Sequence, residues 1–295
     1  MIRIQDCLKN IKINKISYLK DYIVITSSDH KYLIKPKDSN KKNVFDYLRS
    51  INYPYYVELE NNPNDYYEIY PYYDDLVKDK SQKAKEMIYA LISLHLKTIN
   101  YKEYNTDKIK EIYETQNKII DERIKYYLDL QDYIDELEYP LPEYYLLIKN
   151  ISKIYKLLNI SKLKIDSWYK NINNKIRESL LIKKTNLNNF RYGEKSYFID
   201  LKDMKKGLII SDFVEFYKQE ALNVDMKYLF SIYNSKIDLT NNELDILYSL
   251  ISIPQKIEIK KSHYENTINV RKIIDYTEKT IEFISEEYKK NQETN

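Results

Sequence analysis

Two polar residues at the ends of an expected hairpin have the types and the spacing of a site that holds a divalent metal. They lie in the stretch LIKKTNLNNFRYGEKSYFIDLKD, which runs from Leu181 to Asp203. Asn189 follows an Asn-rich loop, a tight turn is expected at Tyr192-Gly193-Glu194, and the second strand ends in Asp200. An amide and a carboxylate in this arrangement hold magnesium beside a nucleotide in many phosphotransferases. The sequence therefore predicts the framework of a phosphotransfer site.

The same stretch lacks the base that this chemistry requires. The catalytic Asp of such a site lies five residues before the metal-binding Asn, and here that position is Lys184. A protonated lysine cannot accept the proton of a substrate hydroxyl, and its charge opposes a nearby magnesium ion. The whole chain has only 2 Gly, so it contains none of the Gly-rich loops that wrap phosphate groups. We expect a metal framework without its catalytic parts.

Composition excludes several function classes. The 295 residues include 48 Lys+Arg and 45 Asp+Glu, and the resulting net charge of +3 gives no reason to expect a nucleic-acid binder. Cys7 is the single cysteine, which excludes an internal disulfide and suits synthesis in a reducing, cytoplasm-like space. The three His are scattered, so no metal site is expected from them. No apolar run approaches the roughly 20 residues that span a membrane, and MIRIQDCLKN has no apolar signal core.

Tyrosine is unusually frequent, with 33 Tyr against 7 Phe. Two interpretations stay open. An AT-rich genome raises Tyr, although Phe is also AT-coded and remains rare. Alternatively, tyrosine is favoured because its ring tolerates half-burial with a hydrated hydroxyl, which suits contact surfaces and oxidative cross-links.

The elements that position the hairpin divide into a β-rich segment and a helical segment. Residues 13 to 70 predict three strands, a short helix with Val44, Phe45 and Leu48 on one face, and two strands, YYVELE and YYEIY, around the turn NNPND. Beyond Asp79 the pattern predicts helices at 83–99, 106–138, 143–159, 162–181, 211–233, 240–252 and 264–290. We therefore predict an α+β protein. Its small antiparallel-sheet lobe would cover residues 1–70, and its large, mostly helical lobe residues 71–295.

Several motifs along this order resemble those of the protein-kinase-like fold. YLIK, ALISLHLKTI, IKKTNLNNF, YFIDLKD and LIISDFVEFYK resemble motifs of the branch that holds aminoglycoside phosphotransferases, choline kinases and CotS-like spore coat proteins. The C-terminal stretch LTNNELDILYSLISIPQKIEIKKSHYENT is most similar to the CotS-like members. The resemblance implies a two-lobed kinase-like architecture.

The resemblance also assigns roles to single residues. Lys35 falls on the lysine that pairs with nucleotide phosphates, and Asn189 and Asp200 fall on the magnesium ligands. Asp212 falls on the Asp that secures the catalytic loop, and Asp46 is the helix carboxylate available to Lys35. Simpler roles remain open for these residues, namely a solvated strand-end lysine, a turn-forming Asn and a strand-end cap.

The catalytic motif itself is altered at three consecutive positions. Ile182, Lys183 and Lys184 replace the His-Gly-Asp of the family pattern. The resemblance with these changes implies a pseudokinase without catalytic residues, bound metal or bound cofactor. We also expect that Lys184, if it reaches Asp200, replaces the metal by a fixed positive charge.

The expected function is therefore that of a structural protein of the bacterial endospore coat. It would be made in the mother-cell cytoplasm and would bind other coat proteins, and it would bind neither nucleic acid nor a membrane. Its oligomeric state is not indicated. Two alternatives stay open, an active ATP- and magnesium-dependent small-molecule phosphotransferase that uses Asp203 or Asp200, and a regulatory pseudokinase that still binds nucleotide.

Overall fold

The computed structural model describes residues 13–19, 22–28, 30–37, 41–58, 67–76 and 79–293. Cys7 and the predicted NNPND turn lie outside these residues. The chain divides into two compact units, one made of Met1–Lys97 and Ile182–Lys205 and the other of Thr98–Leu181 and Lys206–Asn295. The predicted lobe boundary after residue 70 stays a prediction.

The first unit is built on a four-stranded antiparallel sheet. Its strands are β1 (Ile13–Leu19), β2 (Tyr22–Ser27), β3 (Lys31–Pro36) and β4 (Tyr67–Pro71), in the order β1-β2-β3-β4. Helix α1 (Lys41–Ser50) connects β3 to β4. The predicted order of three strands, one helix and a returning strand is confirmed, because alternating apolar residues give each strand one buried face.

The strand predicted over YYVELE is wrong for residues 55–58, which form no strand. Tyr56 and Val57 are only 8% and 4% exposed, and Val57 packs against the buried face of the sheet. Their apolar character therefore reflects burial of a loop, which a short apolar run does not distinguish from a strand.

The remainder of the chain is mostly helical, as predicted. The helices are α2 (Lys80–Thr98), α3 (Thr106–Asp135), α4 (Pro142–Asn171), α5 (Ser211–Glu220), α6 (Met226–Ile237), α7 (Asn241–Ile251) and α8 (His263–Glu293). Helices α3, α4 and α8 share a core that includes Tyr127, Leu147, Ile154 and Val270. The long helices are stabilised by this packing because helix propensity alone is a weak determinant.

Two predicted helix boundaries are wrong. The helices expected at 143–159 and 162–181 are one continuous helix to Asn171, followed by a strand at 175–181. No Pro or Gly interrupts the chain near Ser161, whose buried hydroxyl donates to the Ser249 carbonyl at 2.8 Å. The single helix expected at 211–233 is instead two helices separated by a turn.

In sequence, a strand of a second sheet precedes the altered motif and a hairpin follows it. The sheet has the order β5-β6-β9, from β5 (Asn100–Glu103), β6 (Lys175–Leu181) and β9 (Lys205–Leu208). The hairpin strands are β7 (Phe190–Arg191) and β8 (Tyr197–Phe198), which pair antiparallel with each other. They lie between β6 and β9 in the sequence. The predicted hairpin is confirmed, and the altered motif follows directly after β6.

Candidate functional site

The hairpin places Asn189 beside Lys184 and Asp200. The Asn189 Nδ2 donates to the carbonyl of Lys184 at 2.8 Å and to that of Asp200 at 3.1 Å. The Asn189 Oδ1 accepts from the Asp200 backbone N at 2.8 Å. The Asn186 side chain accepts a hydrogen bond from the Asn189 backbone N and caps the short 3-10 helix Leu187–Asn189. The Asn189 amide, which is only slightly exposed, therefore ties the loop to the second strand through backbone groups.

Asp200 is bound by the chain's own cations. The Lys184 Nζ lies 2.8 Å from the Asp200 Oδ2, so the expected contact between the two residues is present. The backbone N of Lys202 donates to the Asp200 Oδ1 at 3.1 Å. Asp203 also lies 3.4 Å from the Lys184 Nζ. Each Asp200 carboxylate oxygen thus has a donor, and Lys184 lies between two carboxylates.

This arrangement keeps the pair ionised. Burial opposes ionisation of Asp200, but the hydrogen bond from Lys184, the backbone N–H of Lys202 and the charge of Lys35 lower its pKa below the ordinary value. The hydrogen bond to Asp200 raises the pKa of Lys184 despite partial desolvation of the amine. An ammonium therefore faces a carboxylate throughout the neutral pH range.

The residues present do not fit magnesium. That ion requires close to octahedral oxygen ligation at short range, with several retained waters. The side-chain oxygens of Asp200 and Asn189 already accept hydrogen bonds from neighbouring residues. The Lys184 ammonium would also repel a magnesium ion bound at Asp200. Across the described residues, no group of three or more His, Cys, Asp or Glu side chains is arranged to hold a metal.

The two other altered positions have structural roles. Ile182 is completely buried. Lys183 has a φ of 73°, in the left-handed region that favours glycine, and it occupies the position where the resemblance places a Gly. The backbone thus keeps the conformation suited to a glycine while the sequence carries a lysine.

Lys35 is inaccessible to a large ligand. It is 8% exposed, its Nζ donates to the Ile199 carbonyl, and it lies 5.3 Å from the centre of the Tyr70 ring. The predicted pairing of Lys35 with Asp46 is wrong, because the Asp46 carboxylate is 59% exposed and lies 3.3 Å from the Arg49 guanidinium.

The carboxylate near Lys35 comes instead from the sheet. Glu68 stands directly opposite Lys35 in the β3–β4 register and is itself buried. Sequence reasoning missed Glu68 because β3 and β4 are separated by α1, so their register is not set by a local turn.

The sheet face that bears Lys35 is covered by the protein itself. Leu33, two residues away on the same strand, pairs with Val24, and both pack against Tyr197 and Ile199. The cavity beside Lys35 measures about 10 Å³, which is space for roughly one water molecule. Side chains of the protein itself therefore occupy most of the space around Lys35 on this face.

An arginine that the sequence analysis did not single out secures the hairpin. Arg191 donates to the Tyr72 hydroxyl at 3.1 Å, lies 5.5 Å from that ring and is 3.6 Å from Asp75. Tyr197 is fully buried, and its hydroxyl accepts from the Tyr73 backbone N at 3.1 Å. The hairpin is therefore held against the segment that follows β4.

Two further predicted residues lie in helices. Asp212 is buried in the first turn of α5, and its role in securing the catalytic loop stays a prediction. His95 is completely buried in α2, as its place on the apolar stripe predicted. Over the residues described, no helix is both long and apolar enough to cross a membrane.

Comparison with solved structures identifies the architecture. An aminoglycoside phosphotransferase from Alicyclobacillus acidocaldarius aligns with a TM-score of 0.69 at 9% identity, over 95% of this chain and 93% of that protein. The fold is that of the aminoglycoside phosphotransferase-like kinases. The AMP-bound spectinomycin phosphotransferase APH(9)-Ia aligns with a TM-score of 0.58 at 14% identity, over 92% of this chain and 94% of that protein. No protein-family model and no curated protein sequence matches the chain.

Replacement of Lys183 tests whether its left-handed backbone conformation favours a glycine. We expect Lys183→Gly to be more stable than Lys183→Ala by about 1 kcal/mol, because both lose the same side chain and only glycine avoids the left-handed penalty. Urea denaturation of the two variants measures this difference. Equal stabilities would show that the φ of 73° carries no strain.

The pH dependence tests the ion pair. Because the pKa of folded Asp200 is lowered, its stabilising contribution is complete above the unfolded pKa of about 3.9 and is lost as the pH falls through the folded value. Lys184→Met should raise the pKa of Asp200, and stability should then begin to fall at a higher pH. Carboxyl-carbon NMR titration measures the shift. Lys195→Met removes an exposed lysine of the same hairpin and should leave the pKa of Asp200 unchanged. An equal shift of the Asp200 pKa in both variants would contradict the pairing of Lys184 with Asp200.

Proposed function

We propose that this chain is a catalytically inactive kinase-fold protein that acts by binding other proteins. The observation that carries the proposal is the Lys184 ammonium, 2.8 Å from Asp200 at the position expected of the catalytic base. A protonated amine at this position can neither take the substrate proton nor tolerate a metal on Asp200.

Two further observations support inactivity. Asp203, an alternative base, lies 3.4 Å from the same ammonium and is therefore engaged in an ion pair within the protein. The space beside Lys35 is too small for a nucleotide. Together they support the inactive assignment over an active phosphotransferase or a nucleotide-binding regulator.

The partners we propose are proteins of the bacterial endospore coat. This step rests on the CotS-like C-terminal stretch and on the tyrosines at the surface. Tyr18, Tyr139 and Tyr264 are 72%, 83% and 76% exposed, which leaves their rings available for contacts or oxidative cross-links. The protein would be made in the mother-cell cytoplasm and assembled into the coat.

Nucleotide binding provides the first test. We expect no rise in melting temperature at saturating ATP and magnesium, because a ligand that does not bind the folded protein adds nothing to its free energy of unfolding. A true binder gains about 2.7 kcal/mol at a ligand concentration of 100 Kd. A radiolabelled ATP assay with hydroxylated and amino-sugar acceptors accompanies the thermal measurement. Turnover that Asp200→Ala abolishes would overturn the proposal.

Localisation tests the coat assignment separately. A fluorescent fusion expressed from its own promoter in sporulating cells should form a ring around the developing spore. A parallel fusion of a cytosolic enzyme controls for nonspecific trapping. A uniform signal in vegetative cells would exclude the coat role and leave the inactive-kinase assignment untouched.

A further inference from the structure

A cavity of about 320 Å³ lies in the second compact unit, away from the altered motif in sequence. It is bounded by the C-terminal end of α5, the connector between α7 and α8, and the middle of α8. Two lysines, three side-chain amides and an apolar wall line it, including Lys218, Lys272, Asn223, Gln255, Ile253 and Tyr276. Small-molecule sites commonly have this size and this mixture of apolar and polar lining.

The lysines of this cavity lack acidic partners. Across the described residues, neither Lys218 nor Lys272 has a carboxylate within ion-pair distance. Burial lowers the pKa of the half-buried Lys218; Glu215 opposes this effect, and the charge of Arg123 adds to it. Two lysines are thus collected at this cavity without an ion-pair partner in the described part of the chain.

Arg123 adds an unmet donor next to the cavity. Its guanidinium donates to the Pro254 carbonyl, in the connector between Ile253 and Gln255, which line the cavity. The Arg123 Nε is buried and has no hydrogen-bond partner in the described part of the chain. A buried charged donor without an acceptor is costly, so each such group requires an explanation.

The wall of the cavity is held in place by tyrosines. The hydroxyls of Tyr126 and Tyr127 on α3 donate to connector carbonyls, those of Ile257 at 3.2 Å and Gln255 at 2.6 Å. From α8, the Tyr276 hydroxyl donates to the Ile251 carbonyl at 2.7 Å. A preformed wall lowers the entropic cost of binding a ligand.

We propose that this cavity binds a small phosphate monoester, with its phosphate between Lys218 and Lys272. Four cations lie at or beside the cavity: Arg123, Lys218, Lys272, and Lys279, whose Nζ is 3.5 Å from the carbonyl of the lining residue Ala221. Two carboxylates lie nearby, Glu215 and Glu220, and Glu220 accepts from the lining amide of Asn223 at 2.9 Å. A surplus of two positive charges remains. A phosphate monoester carries about −1.5 to −2 at neutral pH and three strong acceptor oxygens, so it offsets this surplus. The apolar wall and the amides accommodate the remainder of the ligand. The site is independent of the proposed function, because neither inactivity nor coat localisation depends on it.

Calorimetry on the full chain tests the proposal. Glycerol phosphate and inorganic phosphate are titrated at constant ionic strength, with malonate as a dianion that lacks the phosphate geometry. We expect both phosphate compounds to bind and Lys218→Met to weaken them about tenfold or more. Lys236→Gln removes an exposed lysine of α6 and should bind like the wild type.

The folding of the variant is checked by its melting temperature without ligand. Lys218→Met should melt at or above the wild-type temperature, because it removes a half-buried charge and keeps most of the side chain. Lys272→Gln provides a second variant on a different helix with the same expected loss of binding. Failure of the phosphates to bind, wild-type affinity in the two lysine variants, or tighter binding of malonate would each overturn the proposal.

Discussion

The ion pair between Lys184 and Asp200 is the interaction on which the rest of the hairpin depends. The Asp200 side chain is only 15% exposed, so its charge requires a nearby cation. Lys184 supplies that cation from the loop, while Asn189 binds the backbone of both residues. A cation from the chain itself thus compensates the Asp200 carboxylate.

Contacts within the protein also satisfy the polar and apolar groups of the sheet around Lys35. Lys35 donates to the Ile199 carbonyl, and Tyr197 packs on the sheet face that bears Leu33 and Val24. Networks in which every polar group is satisfied are rigid, and a ligand could enter only by breaking several hydrogen bonds at once. These contacts support the proposal that the protein acts by binding other proteins.

Local patterns in the sequence predict a large part of this arrangement. The spacing of Asn189 and Asp200, the turn between them and the lysine at position 184 are all properties of one short segment, and the structure places these residues together. The antiparallel sheet and most helices follow from apolar periodicity, which reports burial on one face.

Features that depend on distant contacts were not predictable in this way. The buried contact of Ser161 on α4 with Ser249 joins residues far apart in sequence, and the position of Glu68 opposite Lys35 depends on strand register. The burial of Tyr197 and the contacts of Arg191 likewise involve residues more than a hundred positions away. Periodicity and motif spacing carry no information on such pairs.

The most direct test of the central claim is a magnesium titration followed at the carboxyl carbon of Asp200 by NMR. If Lys184 occupies the metal position, the Asp200 resonance remains unchanged through millimolar magnesium at neutral pH, with or without ATP. A saturable shift of that resonance, with release of the lysine amine from the carboxylate, would contradict the account.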